Sequence, residues 1–106
     1  MVMRGEVWLV ALNPTIGREI KKTRPAVVVS PDELNDALDT VIVSPMTTAG
    51  SHAPYRVPLA FGGKRGLILT EQLRSVDKQR LLRRVGRIPG RVLLETLRVY
   101  QEMFAE

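Results

Sequence analysis

Arg24 and Thr47 flank two short apolar runs, residues 26–30 and 40–44, and the geometry of those runs decides whether the two side chains meet. Each run is rich in Val and Ile and ends at a Ser-Pro dipeptide, Ser30-Pro31 or Ser44-Pro45, so each reads as a strand. Residues 31–39 leave room for about one turn of helix between them, which predicts antiparallel pairing. Antiparallel pairing sets the start of the first strand beside the end of the second. Arg24 then lies opposite Thr47, both in loops open to a ligand. A permanent cation and a hydroxyl converging at one point suit a phosphate.

The elements that must position this pair follow from periodicity. Residues 6–12 place Val7, Leu9 and Ala11 on one side and Trp8, Val10 and Leu12 on the other, which predicts a central strand with Trp8 in the core. Residues 13–17 break the pattern, and a charged exposed loop carrying Arg18, Lys21 and Lys22 runs up to Pro25. Residues 46–54, including His52, have the composition of a mobile connection. A strand over 55–60 is an edge because of Pro58. A turn follows at 62–66, a strand at 67–70 and a short strand at 83–88, and Arg74 and Asp77 read as a structural ion pair. Leu93, Leu97, Tyr100 and Phe104 recur at helical spacing and predict a helix over 91–104. Roughly five or six short strands closed by a C-terminal helix predict one domain over 1–106 of the α+β class, a small, strongly bent antiparallel sheet or partly open β-barrel.

Composition narrows the chemistry. The chain has 106 residues, enough for one core. It contains no cysteine and a single histidine, His52, which excludes disulfides, a thiolate or multi-histidine metal site and a cysteine nucleophile. Its carboxylates are scattered in sequence, so neither a metal nor a cofactor is expected. The N-terminus enters a strand pattern directly and no apolar stretch reaches spanning length, which predicts a cytoplasmic protein without membrane contact. Sixteen Lys and Arg against eleven Asp and Glu give a net charge of +5, and eight of the basic residues fall between Arg74 and Arg98. That patterning points to a polyanion, RNA or DNA first. Tyr55 and Phe61 are too few for an aromatic RNA-stacking surface.

Six segments, in order, closely resemble the MazF/PemK toxin family. They are Arg4-Gly5-Glu6-Val7-Trp8-Leu9-Val10, Leu12-Asn13-Pro14, Gly17-Arg18-Glu19, Lys22-Thr23-Arg24-Pro25-Ala26-Val27-Val28-Val29-Ser30-Pro31, Ser44-Pro45-Met46-Thr47 and Glu71-Gln72-Leu73-Arg74-Ser75-Val76-Asp77. The resemblance covers nearly the whole chain. It implies the toxin of a bacterial type II toxin-antitoxin system with an SH3-like, CcdB/PemK-like barrel. The implied activity is metal-independent, sequence-specific cleavage of single-stranded RNA, including mRNA, by a homodimer that an acidic MazE-like antitoxin neutralises.

The family's catalytic arginine and threonine fall on Arg24 and Thr47. Glu71 is nominated as a third catalytic group, since it and Glu19 are the carboxylates best placed to act as base or to hold Arg24. The corresponding position in the PemK-like branch is a catalytic aspartate, but that branch's arginine and histidine are replaced here by Leu69 and Arg18, so the Arg/Thr arrangement is preferred. Arg18, Glu19, Lys22, Pro25, Thr48 and Gln72 are the nominated substrate-binding residues, and Ile20 departs from the glutamine many relatives carry. The nucleophile would be the RNA's own 2′-hydroxyl, with the protein stabilising charge on the phosphorane. Two other readings share the fold: a CcdB-like gyrase-binding toxin without ribonuclease activity and an inactive RNA-binding regulator. A pure gyrase binder would not require the Arg24/Thr47 pair, and the regulator would keep the barrel with a damaged site.

Overall fold

The computed structural model describes residues 1–106. In chain order the elements are β1 (Glu6–Ala11), β2 (Thr23–Val28), α1 (Asp32–Ala37), β3 (Thr40–Thr47), β4 (Arg56–Phe61), β5 (Lys64–Leu69), β6 (Arg74–Asp77), β7 (Leu81–Arg87) and α2 (Gly90–Met103). All pairings are antiparallel, in the order β4-β5-β3-β2-β1-β7 with β6 on the first half of β3. β1 is central and the proline-bearing β4 is an edge, as the patterning predicts.

The sheet is curled because β3 pairs with β2 on one edge and divides its other edge between β6 and β5. Its residues up to Pro45 pair with β2 and β6, and then Met46 and Thr47 take up Ile68 and Leu67 of β5. The strand therefore does not stop at Ser44-Pro45. Pro45, which has no N–H to offer, stands where β3 changes partners, a position that tolerates proline. β2 likewise begins at Thr23, so Pro25 lies inside it opposite Leu9.

Two apolar clusters fill the two sides of this curl. One gathers Val7, Val27, Met46, Val57, Leu59 and Ile68 against Val92 of α2, and the other gathers Val10, Leu12, Ala26, Val28, Val41, Val43 and Val76. The strict alternation of Val27 with Ala26 and Val28 sends neighbours to opposite clusters. Trp8 is only half-buried and packs at the margin of the second cluster, with its Nε1–H donating to Glu6 Oε1 at 3.3 Å. Burial alone would raise the Glu6 carboxyl, but the Met3 N–H, the Trp8 indole, Arg84 and Arg87 outweigh it and hold the group below the usual carboxylate value.

Other boundaries move for identifiable reasons. Gly62 and Gly63 both have left-handed φ, +59° and +77°, and make a two-residue hairpin turn, so Lys64, Arg65 and Gly66 belong to β5 and not to the turn. β6 escapes pattern reading because Val76 is its only buried residue. Arg74 and Asp77 form no ion pair: Arg74 Nη1 donates to the Leu12 carbonyl at 3.1 Å, and Asp77 caps the Gln79 N–H at 2.8 Å. No helix is long and apolar enough to cross a membrane.

Candidate active site

The β2–β3 register runs Val28↔Val43, Val27↔Ser44, Ala26↔Pro45. Continued toward the open end of the strands, it sets Arg24 opposite Thr47. Both residues are in strands, Arg24 opposite Val10 of β1 and Thr47 opposite Leu67 of β5, and not in the loops expected for them. They line one cavity of about 250 Å³ with Pro25, Met46, Thr48, Leu59, Phe61, Lys64 and Gly66.

Arg24 is half-buried and uses only Nε internally, donating to the Lys21 carbonyl at 3.2 Å. The chain's two ion pairs are Arg56–Glu71 and Arg84–Glu6, so no carboxylate neutralises Arg24. Its terminal nitrogens are left to meet an anion. The Thr47 hydroxyl is engaged in a local turn, donating to the Ala49 carbonyl at 2.7 Å and accepting from the Ala49 N–H at 3.1 Å. To donate to a phosphate it must rotate away from that carbonyl, which costs one exposed hydrogen bond.

Lys64 brings a second cation to this cavity, and sequence reasoning missed it because the adjacent Gly62-Gly63 pair made the whole stretch look like a turn. A larger depression of about 400 Å³ adjoins, sharing Thr48, Leu59 and Gly66 and adding Gly50, His52 and Arg65 among others. Together they form a cationic trough at the mouth of the curled sheet.

The nominated residues separate into groups. Pro25 and Thr48 join Arg24 and Thr47. Glu19, Glu71 and Gln72 line a different, smaller cavity of about 170 Å³ with Ile20, Pro45, Leu73 and Arg74. There Gln72 Oε1 accepts from the Ile20 N–H at 2.7 Å and anchors the loop before β2, while Glu19 Oε1 accepts from the Ile16 N–H at 2.6 Å within it. Glu71 does not line the Arg24/Thr47 cavity; its Oε2 accepts from Arg56 Nε at 2.9 Å. Arg18 and Lys22 are exposed on the loop, Lys22 with a left-handed φ of +70°. No three His, Asp or Glu side chains converge.

The structure is a small, curled antiparallel barrel whose open end carries two cations without a carboxylate partner beside a hydroxyl. The family profile described as "PemK-like, MazF-like toxin of type II toxin-antitoxin system" matches residues 3–104, and the chain belongs to that family. It is 37% identical over 100 residues to Endoribonuclease PemK of Escherichia coli, covering 89% of this chain and 75% of that protein. It is 34% identical to Endoribonuclease MazF9 of Mycobacterium tuberculosis, covering 99% of this chain and all of that one (100%). A MazF crystal structure from Deinococcus radiodurans superposes with a TM-score of 0.88 at 25% identity, covering 99% of this chain and 97% of that chain. A MazE-MazF crystal structure from the same organism matches at 27% identity and a TM-score of 0.76, covering 99% and 97%.

Proposed function

We propose that this chain is a toxin that cleaves single-stranded RNA in the cytoplasm, with residues 1–106 acting as one catalytic domain and Arg24 and Thr47 working on the scissile phosphate. The observation that carries this reading is the shared cavity in which Arg24, free of any carboxylate, lies with Thr47 and Lys64. Similarity to proteins named endoribonucleases supports it.

The chemistry needs little from the protein beyond charge and geometry. The ribose 2′-oxygen is already held beside phosphorus, so its attack is effectively intramolecular. As the P–O2′ bond forms and the P–O5′ bond breaks, negative charge builds on the non-bridging oxygens. The planar fork of Arg24 meets two of those oxygens at once, and Thr47 adds a further hydrogen bond. Arg24, a poor base at neutral pH, stabilises the phosphorane and protonates the leaving 5′-oxygen, while water takes the proton released from the 2′-hydroxyl and returns one to Arg24. The products are a 2′,3′-cyclic phosphate and a 5′-hydroxyl. Pro25 and Thr48 shape the cavity wall, and Arg18 and Lys22 give the neighbouring loop a positive edge for the backbone.

Two partners belong to this reading. An acidic antitoxin of the MazE kind occupies the cationic trough, consistent with the MazE-MazF relatives. A second copy of the chain covers exposed apolar side chains such as Leu82, Leu94 and Phe104. Incubating the purified protein with single-stranded RNA in EDTA tests the function. Cleavage is expected, together with its loss when the nucleotide 5′ to the cut carries a 2′-deoxy sugar. No cleavage by the parent under any condition would favour the gyrase-binding or inactive readings.

A further inference from the structure

Loop 48–55, between β3 and β4, borders both parts of the trough through Thr48, Gly50 and His52. Its hydrogen-bond restraints come from Thr47 and Arg56, with Thr70 Oγ1 donating to the Tyr55 carbonyl at its last residue. At one end Thr47 Oγ1 takes both the N–H and the carbonyl of Ala49. At the other, Arg56 holds the Ala53 carbonyl through its backbone N–H at 3.0 Å and the Ser51 carbonyl through Nη1, also at 3.0 Å. The other two nitrogens of that guanidinium, Nε and Nη2, each donate to Glu71 Oε2. Its plane also lies over Tyr55, 5.8 Å from the ring centroid.

We infer that Glu71 and Arg56 are positioning residues. The carboxylate fixes the guanidinium, and the guanidinium holds the Ser51 carbonyl and so sets the loop that selects which RNA sequence lies across Arg24 and Thr47. The inference rests on the ribonuclease reading for its consequence and on the loop geometry for its cause. The pair lies at the surface with its side chains 20% and 29% exposed, and a single surface ion pair contributes little to global stability, so its value lies in orientation. Gly50, whose φ is +139°, places the loop against both anchors. A Cβ there would stand 3.6 Å from both Arg56 Nη1 and Thr47 Cγ2, so the loop passes directly between the anchor and the proposed catalytic threonine.

The test compares Glu71→Gln, Arg56→Lys and the double variant in two assays. Amide hydrogen exchange on the free protein should accelerate at residues 48–52 in both single variants, with the melting temperature nearly unchanged. With RNA, KM should rise about tenfold and the cleavage profile should broaden, while kcat stays within about threefold. The double variant should be no worse than either single, because both break the same chain of contacts. Unchanged loop exchange in both variants would overturn the inference and leave a surface ion pair only. A kcat loss of about a hundredfold at constant KM in Glu71→Gln, with Arg56→Lys silent, would overturn it in favour of Glu71 as a catalytic residue. A parent protein that cuts no RNA would defeat the ribonuclease reading, and the exchange comparison would still decide whether the clamp exists.

Discussion

Gly66 lies against Thr47 so closely that a Cβ at position 66 would stand 2.8 Å from the Thr47 carbonyl oxygen. β5 therefore crosses the end of β3 at a distance that only glycine permits, and that crossing fixes the backbone from which the proposed catalytic hydroxyl projects. Gly66→Ala should displace Thr47 and lower kcat/KM by about ten- to a hundredfold, since misplacement on the order of 1 Å costs that much. It should also destabilise the fold by about 1–3 kcal/mol. Gly90→Ala, where an added Cβ meets nothing within 4 Å, is the control expected to change neither. Steady-state kinetics beside thermal melts decide it, and parent-like activity in Gly66→Ala would show that the contact does not position Thr47.

Tyr100 ties α2 to the same strand through a hydrogen bond with the buried Ser44 hydroxyl. Burial raises the phenol, the Ser44 bond partly opposes this, the nearby Glu71 charge adds to it, and the group ends at about 12. Because the folded value exceeds the unfolded one, the neutral phenol's contribution is complete below about pH 10 and is lost as pH climbs from there to about 12, roughly 3 kcal/mol at most. Tyr100→Phe should cost about 1–2 kcal/mol at pH 7 by unpairing Ser44, yet show a shallower alkaline decline than the parent. Urea midpoints from pH 8 to 12 provide the comparison. Parallel declines in the two proteins would mean that Tyr100 ionises as freely folded as unfolded.

Arg24 separates charge from geometry. Arg24→Lys keeps the positive charge but loses the fork, so both it and Arg24→Ala should lose most cleavage while folding normally. Thr47→Ala should lose roughly a hundredfold, the worth of one donor aimed at developing charge, and Thr47→Ser should recover much of it. Because the hydroxyl also ties Ala49, Thr47→Ala should in addition loosen loop 48–55, which amide exchange reads separately. A lysine variant as active as the parent would reduce Arg24 to an electrostatic anchor.

The position of this pair was legible because it depends on symmetry: two strands joined by a short connection must meet antiparallel, and residues equally distant from its midpoint come opposite. Strand lengths were less legible. Pro25 and Pro45 look like breakers in isolation, whereas a sheet that changes partners accommodates them. The Glu71–Arg56 pair was hidden for a different reason. The two lie far apart in sequence, and only the β4–β5 register, which sets Arg56 opposite Leu69, carries the arginine to the turn that holds Glu71. Pattern reading within one strand holds no information about such a meeting. Lys64 was lost in the same way, because the hairpin's two-residue turn is fixed by paired positive φ angles and not by the charge that follows.

An acidic antitoxin segment and RNA should exclude one another, since the unpaired cations Arg24 and Lys64 do not distinguish carboxylates from phosphates by charge. Saturating antitoxin peptide should abolish RNA binding measured by fluorescence anisotropy, and raised salt should weaken both ligands. RNA binding that persists at full antitoxin occupancy would place the two on separate surfaces.

The most direct measurement is the mass of the ends left on a short RNA cut by the parent protein in EDTA. Internal attack by the 2′-oxygen, stabilised by Arg24 and Thr47, predicts a 2′,3′-cyclic phosphate on one fragment and a 5′-hydroxyl on the other. Fragments bearing a 3′-hydroxyl and a 5′-phosphate, or cuts that form only when magnesium is restored, would contradict the account.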